Sequence, residues 1–264
     1  MSDRLLIFIP CYNCERQIGR VIDQFAGPAG DIASEILVLD NCSRDATVEA
    51  AVAARDRLLT RPITVGRNRA NYNLGGSHKA AFRYAREQGF SHVVTLHGDD
   101  QGRIDDLLPH LAADRHHQTD ALLGSRFARG ATLVNYSRFR ILGNYVFNGL
   151  FSMGSARLIT DLGSGLNLFG RRVIDDPHVE LYADDLRFNI YLLLGAIDQG
   201  MKLQFFPISW REDDQVSNVA MTSQAVKTLG ILRDYVLRRR HFITADHRSV
   251  RQAAYLFDAI RPAR

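Results

Sequence analysis

Short apolar runs alternate along the first half of the chain with segments whose apolar residues recur every three or four positions. "RLLIFIP" (4–10), "SEILVLD" (34–40), "ITV" (63–65), "HVVTLH" (92–97) and "DALLGS" (120–125) have the length and β-branched content of buried strands. Between them "NCERQIGRVIDQFA" (13–26), "SRDATVEAAVAARDRLL" (43–59), "SHKAAFRYAREQG" (77–89) and "RIDDLLPHLAADR" (103–115) carry the helical period. Asn13, Ser43 and Ser77 stand where N-caps belong. This β-α-β-α order predicts an α/β fold with a mostly parallel central sheet and right-handed crossovers. Such sheets bind their ligands at the carboxyl edge of the strands.

After about residue 126 the alternation breaks. "VNYSRFRILGNYVFNGLFSMG" (134–154) is amphipathic at helical spacing, which serves core packing and an interfacial position equally well. "GSGLNLF" (163–169), a helix over 184–199, a strand over 202–210 and an acidic loop "REDDQVSN" (211–218) follow. A last helix over about 219–241 ends in Arg238-Arg239-Arg240-His241, where basic residues balance the helix dipole, and a short tail helix closes the chain. With no internal repeat and no low-complexity linker, residues 1–264 form one expected domain. Residues 1–126 are its ligand-binding half, and 127–264 a second half with the C-terminal helices.

Composition adds few exclusions. Hydrophobic residues make up 46% and charged ones 23%, enough for a sizeable buried core. "IYLLLGAI" (190–197) is too short to span a bilayer, and the N-terminus enters "LLIFIP" without a cleavage-site pattern, so a cytoplasmic location is expected. Three cysteines suit a reducing compartment; Cys11 and Cys14 form a C-x-x-C, but no further Cys or His stands near enough to complete a zinc site. The net charge of +4 comes from arginine, with lysine only at 79, 202 and 227. That balance suits a phosphate-bearing ligand or an anionic membrane surface, and is too weak and scattered for nucleic acid.

The candidate chemistry lies at four predicted strand ends. "IPCYNCE" ends the first, "LDNCSRDAT" the second, and "NRANYNLGGSHKA" follows the third with Asn73, Gly75 and Gly76. The fourth ends "HGDDQG", where His97, Asp99, Asp100 and Gln101 exceed what a turn requires. One edge thereby gathers carboxylates, a glycine-bearing loop before a helix N-terminus and hard ligands for a cation.

These motifs, in this order, resemble family 2 glycosyltransferases of the GT-A fold, closest to the polyprenyl- and dolichyl-phosphate sugar synthases. "GSRF" (124–127), "DLGSGLNLF" (161–169) and "PISWREDDQVSN" (207–218) extend the likeness over about residues 4–220. The resemblance implies a Rossmann-like three-layer domain that moves a sugar from a nucleotide-diphosphate sugar to an acceptor, in line and with inversion. Asp40 would meet the nucleobase, and Pro10, Tyr12 and Glu15 would line the base and ribose pocket. Asn73, Gly75, Gly98, Asp99 and Arg126 would complete the donor site. The family's Asp-x-Asp-x-Gln motif, which holds Mn²⁺ or Mg²⁺ on the donor diphosphate, falls on His97, Asp99 and Gln101. His97 replaces the first acid, and imidazole favours Mn²⁺ over Mg²⁺. Arg211 matches the arginine of a loop that closes over the diphosphate, but the Ser-Lys pair expected after it is Ser217-Asn218, one residue late.

Two acceptors remain open. A polyprenyl phosphate, reached from the inner membrane face by a peripheral enzyme, would place its charge on Arg126, Arg138 and Arg140, with Ser164 on the same side. A hydroxyl or amine of a saccharide or small metabolite would need a general base, for which Asp185 and Asp184 are the candidates. The same two acids also suit a helix N-terminus. A nucleotidyltransferase would need a glycine- and lysine-bearing first turn, which "PCYNCERQI" lacks. A non-catalytic nucleotide-sugar-binding protein is the rival that the His97 replacement favours.

Overall fold

The computed structural model describes residues 3–213 and 221–260. Strands β1 (Leu5–Cys11), β2 (Glu35–Asp40), β3 (Ile63–Asn68) and β4 (His92–Leu96) alternate with helices α1 (Glu15–Asp23), α2 (Thr47–Arg57) and α3 (Asn73–Gln88). Next come α4 (Leu108–Ala112), α5 (Arg115–Gln118), β5 (Ala121–Ser125), β6 (Thr132–Val134), α6 (Arg138–Ser155), β7 (Leu166–Gly170) and α7 (Arg171–Ile174). The chain continues through α8 (Phe188–Asp198), β8 (Leu203–Pro207), β9 (Ser209–Arg211), α9 (Met221–Leu237), α10 (Arg239–Thr244) and β10 (Phe257–Ala259).

One eight-stranded sheet has the order β10-β3-β2-β1-β4-β7-β5-β8. The β1–β2, β2–β3, β1–β4 and β5–β8 pairs are parallel, as the βα alternation predicts, while β7 runs antiparallel between β4 and β5. Alternation along β1 separates two cores. Leu6 and Phe8 face the layer built from α3, α8, α9 and α10. Leu5, Ile7 and Ile9 face α1 and α2.

Several boundaries depart from the sequence pattern. The predicted 103–115 helix is broken into a 3₁₀ turn (Ile104–Asp106), α4 and α5, because Asp114 adopts a left-handed backbone (φ 52°). The predicted 202–210 strand switches sheets after Pro207: β8 pairs with β5, and β9 pairs with β6 in a separate ribbon. The last long helix divides at Arg238, so Arg239 is an α10 residue; it remains solvent-exposed while pairing with Asp198 and lying over the Tyr235 ring. The expected tail helix is strand β10, antiparallel to β3. None of the three predicted caps holds. Asn13 accepts from the Arg44 N–H and the Ser43 hydroxyl from the Asn13 N–H, while α3 begins at Asn73 and buries Ser77 in its second turn.

The two halves are joined through a buried ion pair. Lys79 on α3 is wholly enclosed; its Nζ donates to the Tyr182 carbonyl (2.6 Å) and to Asp184 Oδ1 (2.7 Å). Tyr255, just before β10, donates its hydroxyl to the same Asp184 oxygen at 2.7 Å. Burial pulls the ammonium pKa down, and the Asp184 carboxylate opposes that shift. Removing one partner would leave the other charge buried and uncompensated. Lys79→Met is therefore expected to lower unfolding free energy by about 3–5 kcal/mol, and the double change Lys79→Met/Asp184→Leu to recover much of that loss. Urea denaturation of the three proteins measures both.

Candidate active site

Pro10 and Cys11 at the end of β1, Asn41 just past β2 and His97 just past β4 open onto one cleft of about 500 Å³. Tyr12, Cys14, Asn71, Asn73, Leu74, Ser77, Gly98 and Asp99 complete its sheet-side wall, and Asp185, Leu186, Gln224 and Lys227 face them from the second half. The cleft thus lies at the carboxyl edge of the parallel strands, where the strand order predicts it.

The walls are built by close backbone contact. Gly98 donates its N–H to the Pro10 carbonyl at 3.0 Å, and a Cβ there would stand 2.8 Å from the Cys11 sulfur. Cys11 and Cys14 are buried free thiols packed under this contact, and burial pushes the Cys11 thiol pKa up. The C-x-x-C is packing, as its lack of further ligands implies. Asn41 organises the loops: its Oδ1 accepts from the Tyr72 N–H and from Asn68 Nδ2, and its Nδ2 donates to Asn71.

At the strand-four turn, His97 Nδ1 lies 4.0 Å from Asp99 Oδ2. Burial and the nearby Arg126 cation push the His97 pKa down to about 4, so the imidazole is neutral near pH 7. Its Nε2 is buried without a hydrogen-bond partner among the described residues. Its Nδ1, the nitrogen on the Asp99 side of the ring, forms with that carboxylate a mixed N/O donor pair that suits a divalent cation such as Mn²⁺. Gln101 meets this turn through its backbone, its N–H donating to Asp99 Oδ1 at 3.3 Å and its carbonyl accepting from the Arg211 N–H, and among the described residues its side chain is not part of the cleft lining. Asp100 turns away. Buried at φ 59°, it receives Arg20 Nε at 2.6 Å and the Arg211 guanidinium.

The arginines expected to meet phosphate are engaged within the protein. Arg126 forms a two-pronged pair with Asp161, 2.8 Å at each contact, and donates to the Gly163 carbonyl. Burial works against its charge, but Asp161 more than compensates and raises its pKa. Arg140 holds Glu212 and lies over the Tyr136 ring, whereas Arg138 is exposed at the start of α6. Ser164 is buried, its hydroxyl donating to the Leu166 carbonyl, away from the cleft lining.

Three further expectations change. Glu15 accepts from the Ala46 N–H, so it ties the first two loops together and does not line the cleft. Asp40 is buried, accepting from the Ser43 N–H and lying 3.3 Å from Arg67 Nε, so its carboxylate caps its own loop. The Gly75 and Gly76 N–H groups do not face a ligand; both donate to the Asp184 carbonyl, at 2.5 and 3.2 Å. A Cβ on Gly75 would meet Ala183 and Phe188 at 2.5–2.6 Å, so these glycines serve helix packing.

Asp184 and Asp185 precede α8 and do not open it. Asp184 is sealed by Lys79 and Tyr255, which removes it as a base in the cleft. Asp185 does line the cleft; burial raises its pKa, but hydrogen bonds from the Arg187 side chain and backbone, with the Arg187 charge, outweigh that and hold it below the usual carboxylate value. Ser217 and Asn218 lie outside the described residues. Sequence reasoning missed Asn41, Asn71, Gln224 and Lys227; of these, Lys227 carried a signal, as one of only three lysines.

Known proteins similar to this chain identify its family. An undecaprenyl-phosphate mannosyltransferase of Micrococcus luteus is 29% identical over 79% of this chain and 84% of its own. A dolichyl-phosphate beta-glucosyltransferase of Saccharomyces cerevisiae is 23% identical over 92% of this chain and 76% of its own. Among solved structures, glucosyl-3-phosphoglycerate synthase of Mycobacterium tuberculosis bound to UDP shares the GT-A fold. Its TM-score is 0.60 at 16% identity, covering 86% of this chain and 79% of that one. The glycosyl transferase family 2 profile matches residues 6–176, and with that match over most of the sheet and its carboxyl edge the chain belongs to glycosyl transferase family 2.

Proposed function

We propose that this glycosyltransferase moves a hexose from a nucleotide-diphosphate sugar to a polyprenyl phosphate at a membrane surface, by in-line displacement with inversion. The observation that carries the acceptor is the outward face of α6 and α9. On α6, Phe139, Leu142, Tyr145, Val146 and Met153 are exposed, Phe139 and Met153 by more than 70%. On α9, Val226, Leu229, Val236 and Leu237 are exposed as well. The two helices touch, and α9 also supplies Gln224 and Lys227 to the cleft. An apolar face continuous with the cleft wall suits a lipid chain whose charged head must reach the reaction centre. No helix among the described residues is long and apolar enough to cross a membrane, which fits a peripheral attachment.

The donor would lie along the sheet-side wall, its base and ribose near Tyr12, Asn41 and Asn71 and its diphosphate near His97 and Asp99. When bound there, a divalent cation would neutralise charge on the departing diphosphate. Arg211 is the guanidinium beside the strand-four turn that can meet the same charge. Asp100 keeps Arg20 when Arg211 leaves it, so the move strands no buried carboxylate. Lys227 offers the acceptor phosphate a cation, with Arg138 exposed near the mouth. A phosphate monoester loses its second proton near pH 6 and attacks as an anion, so no side chain has to take a proton. The depressed pKa of Asp185 supports this acceptor over a hydroxyl, because a weak base is a poor one for an alcohol.

Incubation with labelled UDP-, GDP- and dTDP-sugars and undecaprenyl phosphate in vesicles is expected to give a chloroform-soluble labelled lipid; label appearing only in water-soluble glycosides would reject the lipid acceptor. Asp99→Asn is expected to abolish the Mn²⁺-dependent part of nucleoside diphosphate affinity in calorimetry with the fold intact. Asp185→Asn is expected to lower turnover on polyprenyl phosphate by less than about tenfold. General-base catalysis of a hydroxyl acceptor would instead cost about 10²–10⁴-fold. Steady-state kinetics with donor affinity measured in parallel separate the two.

A further inference from the structure

A second cluster of ligating side chains lies at the opposite edge of the sheet. Leu5 pairs with His92, so the chain just before β1 lies beside the start of β4, while the cleft opens past the other end of that strand. α5 returns to this edge immediately before β5 and carries His116 and His117. The three segments meet at Asp3. His116 Nε2 lies 3.1 Å and His117 Nε2 3.0 Å from the same oxygen, Asp3 Oδ2. His92 Nδ1 lies 3.9 Å from the other carboxylate oxygen.

The arrangement is denser than an ordinary ion pair needs. The His116 and His117 rings are 4.0 Å apart between centroids, and His92 is 5.3 Å from His116. His116 is buried, and its Nδ1 has no hydrogen-bond partner among the described residues. Three protonated imidazoles around one carboxylate would repel one another; in the Nδ1–H tautomer, by contrast, His116 and His117 each present an Nε2 lone pair on the side of the Asp3 carboxylate, while His92 Nδ1 is engaged by the Ser91 hydroxyl. Ligand atoms of Asp3, His116 and His117 lie within 4.8 Å of one another. A cation about 2.0–2.2 Å from each ligand fits among atoms spaced in this way.

We propose that Asp3, His116 and His117 bind a divalent transition metal of the zinc class at the amino-terminal edge of the sheet, with His92 bordering the site. Imidazole nitrogen with one carboxylate favours such ions over Mg²⁺ or Ca²⁺, which prefer all-oxygen shells. The metal fastens the segment before β1 to the α5–β5 connection and takes no part in sugar transfer, because β4 separates it from the cleft. The site makes no use of the donor or acceptor assignments above.

The test uses the full chain without a histidine tag, stripped with EDTA, and titrates ZnCl₂ by calorimetry and by thermal unfolding. The unaltered protein is expected to bind one equivalent with submicromolar affinity and to gain roughly 5 °C or more in Tm at saturating metal. Asp99→Asn is expected to retain that binding. His117→Gln, a change at an exposed side chain, and Asp3→Asn are each expected to weaken it by more than about 100-fold. Mn²⁺-dependent nucleoside diphosphate affinity in His117→Gln should be unchanged, which separates the two cation sites. Absence of zinc binding in the unaltered chain overturns the proposal. So does zinc binding that survives both His117→Gln and Asp3→Asn, or that disappears only with Asp99→Asn.

Discussion

The buried contact between Lys79 and Asp184 is the constraint around which the two halves of the molecule are arranged. An ammonium enclosed by protein is tolerable only with an anion and further acceptors at hydrogen-bond distance, and Lys79 finds them in Asp184 and the Tyr182 carbonyl. The same short segment spends the Asp184 carbonyl on the Gly75 and Gly76 N–H groups in the first turn of α3, so these two donors are withdrawn from any phosphate. Fixing Asp184 in this way also fixes its neighbour. Asp185 is delivered to the cleft wall by a backbone held on both sides.

A second regularity concerns positive charge. Arg126, Arg140 and Arg211 each have a carboxylate partner, and only Arg211 shares that partner with another arginine. An arginine in an exclusive pair cannot turn to a substrate without leaving a bare carboxylate behind, a large cost for the buried Asp161 and a smaller one for the half-buried Glu212. The paired ones therefore shape the site, and charge for a mobile anion is left to residues whose partners are shared or whose side chains are exposed. Lys227 and Arg138 are exposed.

The sheet and the edge that carries the cleft were legible because βα alternation and period-two burial are local properties of the chain. So was the strand-four turn, where His97 and Asp99 do face the cleft as their spacing suggests. What escaped depends on distant partners. "NLGG" reads as a phosphate loop, and nothing local reveals that a carbonyl about 110 residues later occupies its N–H groups. Glu15 and Asp40 have the chemistry of ligand contacts and serve as loop ties, since any carboxylate near a free N–H can do either. Arg126 looks available until Asp161 is brought beside it by β7, a strand whose reversed direction breaks the alternation. The rarity of lysine was a usable signal: two of the three, Lys79 and Lys227, have structural or cleft positions that no motif indicates.

The position of β10 has a consequence for the growing chain. It covers the outer edge of β3, yet its partner residues are synthesised about 190 residues after the strand they pair with. At ordinary translation rates of about 5–20 residues per second, β3 emerges with an open row of hydrogen-bonding groups for on the order of 10–40 s. An uncovered edge is a template for pairing with another chain, and "ITVGRN" guards itself during that interval only with Arg67 and the polar Asn68 at its end. Tyr255 arrives in the same segment, so the strand that shields the edge and the hydroxyl that completes the Asp184 contact reach the fold together. Ribosome-bound intermediates of this chain would thus carry a preformed sheet with one sticky margin until β10 has been made.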